Sequence, residues 1–275
     1  MSVNASYYPP GCPPELTVNA LADLLIGIEP EGAENVQVES LGPLSVRGQA
    51  RVGRLLMTHG AGAGLDSAML VAFRQALSEQ GVQTLGVEFS YLRQMREEGR
   101  RRPPPRVERL VDELALGCDI LSQASRVTQM PFWLGGKSMG GRVASMLAAR
   151  DGAAGLVLCG YPFHPPKRPD RLRLDHWPGL RCPVLVLQGT RDPFGNRDEV
   201  SRYELPAVAQ VQWLEDGDHD WKPRRASGRN QAELISEAAT HAAAFMAEHA
   251  RKTSGDRQAN ERAADSVTRT DAGKP

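Results

Sequence analysis

Apolar residues fall along this chain in two rhythms. Short unbroken runs ("GRLLMTH", "VQTLGVEF", "PFWLGG", "AGLVLCG", "PVLVLQG") are rich in Val, Leu and aromatic side chains. Between them stand longer segments with apolar residues at helical spacing: "DSAMLVAFRQALSEQG", "VERLVDELALGCDIL", "SMGGRVASMLAAR" and "QAELISEAATHAAAFMAEHA". "VQVES" and "VQWLED" add two strand-like runs, and "NRDEVSRYEL" reads as a further helix. Runs without polar alternation suit strands covered on both faces. Strands alternating with helices of ten or more residues predict βαβ units, so the expected fold is α/β, a mostly parallel sheet with helices on both faces. No internal repeat of fixed period interrupts the pattern.

The pattern weakens at both ends. Pro9-Pro10, Gly11 and Pro13-Pro14 argue for an irregular start, and "ELTVNALADLLIGI" fits a short helix or a strand. Residues 1–35 are therefore expected to be an extension, irregular or partly helical, and residues 36–250 the globular domain. Residues 251–275 hold almost no large apolar side chains and cannot offset the entropy of ordering, so a disordered tail is expected. "GYPFHPPKRPDRLRLDHW" is too short for a large lid and predicts a minimal cap.

Composition narrows the function classes. The 275 residues are 41% apolar and 24% charged, with zero formal net charge. That places the chain among globular proteins and provides no field for nucleic acid or an anionic membrane. No apolar run is long enough to span a bilayer, and the first residues lack the basic and apolar regions of a secretory signal. Cys12, Cys118, Cys159 and Cys182 lie far apart with no C-x-x-C pair, which suits free thiols in a reducing cytosol.

"PFWLGGKSMGGRVASML" carries the candidate chemistry. Gly136-Lys137-Ser138 matches the end of a phosphate-binding G-x-x-x-x-G-K-[ST] loop, but Pro131 stands where the first glycine is required. The intervening "FWLG" suits a strand. Gly136-Lys137-Ser138-Met139-Gly140 also matches G-x-S-x-G, here between a strand and a helix, which is the setting of a turn that presents a nucleophilic serine. A serine on so sharp a turn needs neighbours without side chains, because strand and helix pass closely there.

A serine hydroxyl needs a base, and the base needs an acid to hold its tautomer. "PVLVLQG" ends in "TRDPFG", which puts Asp192 on a loop just after a strand. "VQWLED" ends in "GDHDW", which puts His219 on the next such loop. Asp216 and Asp218 rival Asp192; His59, His164, His176, His241 and His249 rival His219. "RLLMTHGAGAG" ends a strand in the form of a loop that supplies an oxyanion N–H. Ala61 is the candidate donor there, with Gly62 behind it, and Met139 follows the nucleophile as the other donor. His59 is expected to tie down its own loop. "GAGAGLDS" lacks the third glycine of a dinucleotide fingerprint.

With these pieces in the order Ser, Asp, His, the sequence resembles the α/β-hydrolase superfamily. More narrowly it is similar to the predicted-hydrolase family that includes testis-expressed hydrolase-like proteins and the hydrolase-like subunit of the non-specific lethal acetyltransferase complex. The stretches that carry the likeness are "LLMTHGAGAGLDS", "RRRPPP", "GGKSMGGRVASM", "GYPFHPP", "LQGTRDPFG" and "WLEDGDHDWKPR". Ser90 in "VEFSY" departs from it at a place associated with proline. The resemblance implies an α/β-hydrolase fold with Ser138, Asp192 and His219 as the triad, no metal or organic cofactor, and no assigned substrate. One branch of that family acts as a protein scaffold, so the alternative to a serine hydrolase acting on a small-molecule acyl bond is a non-catalytic interaction protein.

Two features bear on substrate. "REEGRRRPPPR" is either a solvated loop or a cationic rim, in which Arg100, Arg101 and Arg102 on a stiff proline segment, with Lys137 and Arg142 nearby, select a carboxylate or phosphate. Tyr161 and Phe163, with Trp177, either wall an acyl pocket or simply pack.

Overall fold

A computed structural model describes residues 15–271, with side chains through residue 251. Cys12 and the prolines of the expected irregular start lie outside the described residues. Eight strands form one sheet: β1 (Ala33–Val38), β2 (Gly42–Arg47), β3 (Gly53–Thr58), β4 (Val82–Val87), β5 (Phe132–Lys137), β6 (Leu156–Cys159), β7 (Val184–Gly189) and β8 (Ala209–Leu214). Their spatial order is β1-β2-β4-β3-β5-β6-β7-β8. β1 and β2 pair antiparallel, as do β2 and β4, and every later pairing is parallel. β3, β4 and β7 are buried along their whole length, as expected of strands covered on both faces.

Among the described residues seven helices surround the sheet: α1 (Val18–Gly27), α2 (Ala68–Glu79), α3 (Ser90–Glu98), α4 (Val107–Val127), α5 (Met139–Asp151), α6 (Arg197–Val200) and α7 (Gln231–Asp271). α1, α4 and α5 build one core layer, where Leu21, Leu25, Leu114, Leu121, Val143 and Leu147 meet the sheet. α2 and α7 build the other, around Phe73, Leu77, Leu234 and Ala238, with Trp133 and Trp221 filling the remaining space.

"ELTVNALADLLIGI" resolves as a helix because Leu21, Ala22 and Leu25 fall on one buried face and Thr17 caps it by accepting from Ala20 N–H. The carbonyl of Leu25 takes a 2.9 Å bond from Gln83, which ties α1 to β4. α7 runs on to Asp271, where a disordered tail was expected from residue 251. Four Arg and three Ala in that stretch favour helix by intrinsic propensity, although its Thr, Asp, Ser and Gly do not.

β6 returns to β7 over α5 through residues 160–183, which hold one 3₁₀ turn, Trp177–Gly179, and no inserted domain. Among the described residues no helix is long and apolar enough to cross a membrane.

Candidate active site

Parallel strands deliver their C-terminal ends to one edge of the sheet, and the candidate residues sit on that edge. Ser138 leaves β5 with φ 53° and ψ −113°, a left-handed conformation that an L-residue adopts at a cost of about 1–3 kcal/mol. Its N–H donates to Cys159 O at 2.9 Å, and its carbonyl accepts from Arg142 N–H at 3.0 Å as α5 begins. The glycines are required by closeness. A Cβ on Gly136 would lie 2.7 Å from Thr58 Oγ1, and one on Gly140 would collide with Thr58 Oγ1 and lie 2.7 Å from His59 O.

Asp192 is fully buried on the loop after β7. Its Oδ1 accepts from Phe194 N–H at 2.9 Å and its Oδ2 lies 2.8 Å from His219 Nδ1. Both carboxylate oxygens are thus engaged, and the histidine is held by one nitrogen with the other left for chemistry. The His219 ring also stacks at 4.4 Å on Phe194. The two loops are stitched together, since Arg191 N–H donates to Gly217 O at 2.9 Å and Thr190 Oγ1 accepts from Asp216 N–H at 2.8 Å.

The rival acids are occupied elsewhere. Asp216 pairs with Arg191 and Arg224, and the Arg224 guanidinium holds its carboxyl below the ordinary range. Asp218 caps its own turn by accepting from Asp220 and Lys222 N–H groups, each at 2.9 Å.

Ser138 and His219 approach through β6. Gly160, next to the Cys159 that accepts from Ser138, lies so near the imidazole that a Cβ on it would be 3.3 Å from His219 Nδ1. The serine hydroxyl makes no hydrogen bond to the ring in this structure. Such contacts commonly tighten only once substrate is bound.

The loop after β3 packs on the serine. A Cβ on Gly60 would lie 3.8 Å from Ser138 Cβ, and Ala61, the next residue, is exposed with its carbonyl fixed by Tyr91 Oη at 3.2 Å. Met139 is half-buried at the first turn of α5, where backbone N–H groups lack partners within the helix. His59 is fully buried. Its Nδ1 lies 2.7 Å from Gly60 O, and its Nε2 accepts from Phe89 N–H at 3.0 Å. Burial pushes its pKa down to about 4, so the ring is neutral and serves the loop as a tie. Of the remaining rivals, His164 is bound to Pro165 O, His176 to Ser145 and His249 to Phe245 O, and His241 lies half-buried on α7.

The expected substrate contacts differ from this picture. Tyr161 and Phe163 are fully buried and cannot wall an open pocket. Tyr161 Oη donates to Arg173 O at 2.8 Å and accepts from Trp177 Nε1 at 3.0 Å, and the Phe163 ring packs 5.0 Å from that of Tyr161. The crossover folds back onto α5 and seals these rings beneath itself. Arg100, Arg101 and Arg102 are exposed, and Arg102 pairs with Glu98 of its own segment.

One residue carries more than its sequence position signalled. Lys137 is buried at the end of β5, immediately before Ser138, and its Nζ lies 3.3 Å from Asp220 Oδ1, immediately after His219. In sequence it stood out as a phosphate-loop lysine and as a neighbour of the cationic rim. Here it is part of a strand, and its ammonium bridges the serine and histidine segments.

The same architecture is found in solved structures. A serine hydrolase without a lid from Xanthomonas campestris aligns at TM-score 0.55 and 17% identity, covering 85% of this chain and 95% of that one. Est1E from Butyrivibrio proteoclasticus aligns at TM-score 0.54 and 15% identity, covering 80% and 99%. A dienelactone hydrolase from Anabaena variabilis aligns at TM-score 0.54 and 20% identity, covering 76% and 96%. At these identities the likeness establishes the fold. The sequence itself matches the α/β-hydrolase domain family over residues 51–247, from the start of β3 through most of the core-packed part of α7, and the chain belongs to that family.

Proposed function

We propose that this protein is a serine hydrolase that cleaves a carboxylic ester, thioester or related acyl bond of a small molecule. The observation that carries the reading is the 2.8 Å bond between His219 Nδ1 and a fully buried Asp192, placed beside a serine held at φ 53°. His219 Nε2 takes the proton from Ser138 as Oγ attacks the carbonyl carbon. The N–H groups of Met139 and Ala61 receive the developing oxyanion. Asp192 holds the imidazole in the required tautomer and stabilises its charged form. The protonated imidazole then gives its proton to the leaving group, and water repeats the sequence to free the acid. The likeness to a serine hydrolase from Xanthomonas and a dienelactone hydrolase from Anabaena supports the reaction class.

Within the superfamily we place the chain with the predicted hydrolases that its motifs resemble, and in the cytosol, in keeping with the free thiols of Cys118, Cys159 and Cys182. The test is labelling of folded protein by a fluorophosphonate probe at neutral pH, alongside an ester panel of varied acyl length and charge. Labelling that disappears in Ser138→Ala is expected. Absence of both labelling and turnover would leave the scaffold alternative as the better account.

A further inference from the structure

We propose that Arg142 and Arg173 form the anion-recognition subsite of this active edge, and that the natural substrate carries a carboxylate beside the acyl bond that is cleaved. The inference deepens the serine-hydrolase reading and rests on it for the identity of the bond broken. The arginine pair is a separate observation.

Arg142 belongs to the first turn of α5, and its backbone N–H donates to Ser138 O. It is therefore one helical turn from the candidate nucleophile, about 5 Å along the axis. Long helical side chains lean toward the helix N-terminus, which here is the edge that carries Ser138. Arg173 arrives from the crossover between β6 and β7, anchored by its own N–H to Phe163 O and by its carbonyl to Tyr161 Oη, both at 2.8 Å. Both arginines are half-buried.

Nothing in the described protein neutralises them. The buried Nε of Arg142 has no hydrogen-bond partner, and among the described residues no carboxylate pairs with either guanidinium. The buried titratable groups beside them carry no negative charge, and the nearby carboxylate, Asp175, stays in solvent. His176 donates to or accepts from Ser145 Oγ at 2.8 Å, and burial followed by the Arg142 charge lowers its pKa to about 4, so it is neutral near pH 7. Tyr161 is pushed up by burial and stays protonated. Asp175 is exposed and forms no ion pair. Burial, and then the like charge of Arg142, also lower Arg173.

Ser145, less than one turn beyond Arg142 in α5, bonds His176, three residues beyond Arg173, at 2.8 Å, so both arginines sit at the same contact between α5 and the crossover. Two half-buried guanidiniums there without a carboxylate partner are an arrangement that costs stability until an anion arrives. A carboxylate fits the planar forks bidentately, and a group bound there lies beside the serine and not across the molecule from it. The exposed Arg100–Arg102 run has water in place of such a setting.

The test compares a chromogenic butyrate ester with the hemisuccinate ester of the same alcohol and chain length, at low ionic strength. A second measurement is the thermal shift given by succinate alone. Wild type is expected to favour the hemisuccinate, and the ratio of kcat/KM for the two esters is expected to fall about 10- to 100-fold in Arg142→Gln and in Arg173→Gln. Succinate is expected to raise the Tm of wild type and not of either variant. If a glutamine variant fails to fold, Arg142→Lys keeps the charge, loses the fork and should lie between the two. A wild-type ratio near one, or a ratio that follows Arg100→Gln and Arg101→Gln instead, overturns the proposal. If neither ester is cleaved but the succinate shift depends on both arginines, the subsite stands and the hydrolase reading falls. If there is neither cleavage nor shift, both fall.

Discussion

Replacing Lys137 by methionine should make this protein more stable near neutral pH, although the substitution deletes an ion pair. The pair is lopsided, with the Lys137 side chain 8% exposed and that of Asp220 53% exposed. At their 3.3 Å separation, Coulomb attraction is about 5 kcal/mol at an effective dielectric of 20 and about 1 kcal/mol in water. Half-solvated Asp220 pulls the real value toward the lower figure. Against it stands the desolvation of the ammonium, several kcal/mol for a buried ion. Burial is the largest influence on Lys137 and lowers its pKa from the ordinary 10.5, outweighing the attractions of Asp220 and Asp192. The nearby Cys159 thiol is pushed up to about 12 and contributes no charge near neutrality. Methionine fills similar volume without the charge, and Asp220 keeps its water, so a gain of about 1 kcal/mol is expected. For a domain of this size that is about 2–4 °C in Tm.

The sign can be checked with pH. Because the folded pKa of Lys137 is depressed, the native state binds fewer protons than the unfolded chain between that value and 10.5, and wild type gains stability as pH rises through the window. The advantage of Lys137→Met is therefore full below the depressed pKa and vanishes toward pH 10.5. Paired thermal melts from pH 7 to pH 10 measure it. A variant less stable at pH 7, with a deficit that closes at high pH, would show that the ion pair stabilises and that the weighing of burial against attraction is wrong. Activity should move the other way. Without the bridge to Asp220 the His219 segment loses one of its ties, and kcat on the best ester should fall by about 10-fold or more.

Asp192→Asn should lower kcat by about 10³- to 10⁴-fold with little change in Tm: Phe194 N–H claims the amide oxygen, so the amide N–H₂ faces His219 Nδ1 and forces the wrong tautomer. Gly140→Ala should lower Tm by several degrees, because the new methyl collides with Thr58 Oγ1 and overpacking of this kind costs about 1–3 kcal/mol. His59 has a folded pKa of about 4 against 6.5 unfolded, so its contribution is fully present above about pH 6.5 and lost as pH falls toward 4. That amounts to about 3 kcal/mol, and urea midpoints at pH 7 and pH 4.5 should reveal it, with a flat profile counting against a buried neutral ring.

Sequence alone made the parallel half of the fold legible, because β3 to β8 are apolar runs that end in turn residues and the helices between them keep a clean period. The antiparallel edge was harder to see. β2, "GPLSVR", opens with Gly-Pro and holds only two large apolar residues, so its strand character comes from pairing with β1 and β4. α3, "SYLRQMREE", is too polar to announce a buried face; Tyr91 and Leu92 alone are buried in it. The helix expected over "NRDEVSRYEL" closes after one turn at Val200, the chain turning as Tyr203 joins the core and Pro206 follows. Ser138, Asp192 and His219 could be proposed because each follows a strand that was itself readable. The burial of Tyr161 and Phe163, and the meeting of Arg173 with Arg142, depend on how the crossover folds back over α5. Local pattern does not encode that path.

Several departures from local rules gather around Ser138. Ser138 takes a left-handed backbone, Gly136 and Gly140 are crowded to the limit, Lys137 is buried with a half-solvated partner, and half-buried Arg142 and Arg173 have no carboxylate partner among the described residues. Arg54 and Arg74, also buried, spend their donors on Gln83, Thr84 and Ser45. A surface that only held a partner would have no use for strain and unpaired charge concentrated around one hydroxyl. A reaction centre uses both, because rigid placement and uncompensated charge are what a passing carbonyl and carboxylate would meet. The scaffold alternative therefore predicts that Lys137, Arg142 and Arg173 can be replaced with stability gained and nothing lost. The hydrolase reading predicts that stability gained at the three charged sites, Lys137, Arg142 and Arg173, is bought with turnover.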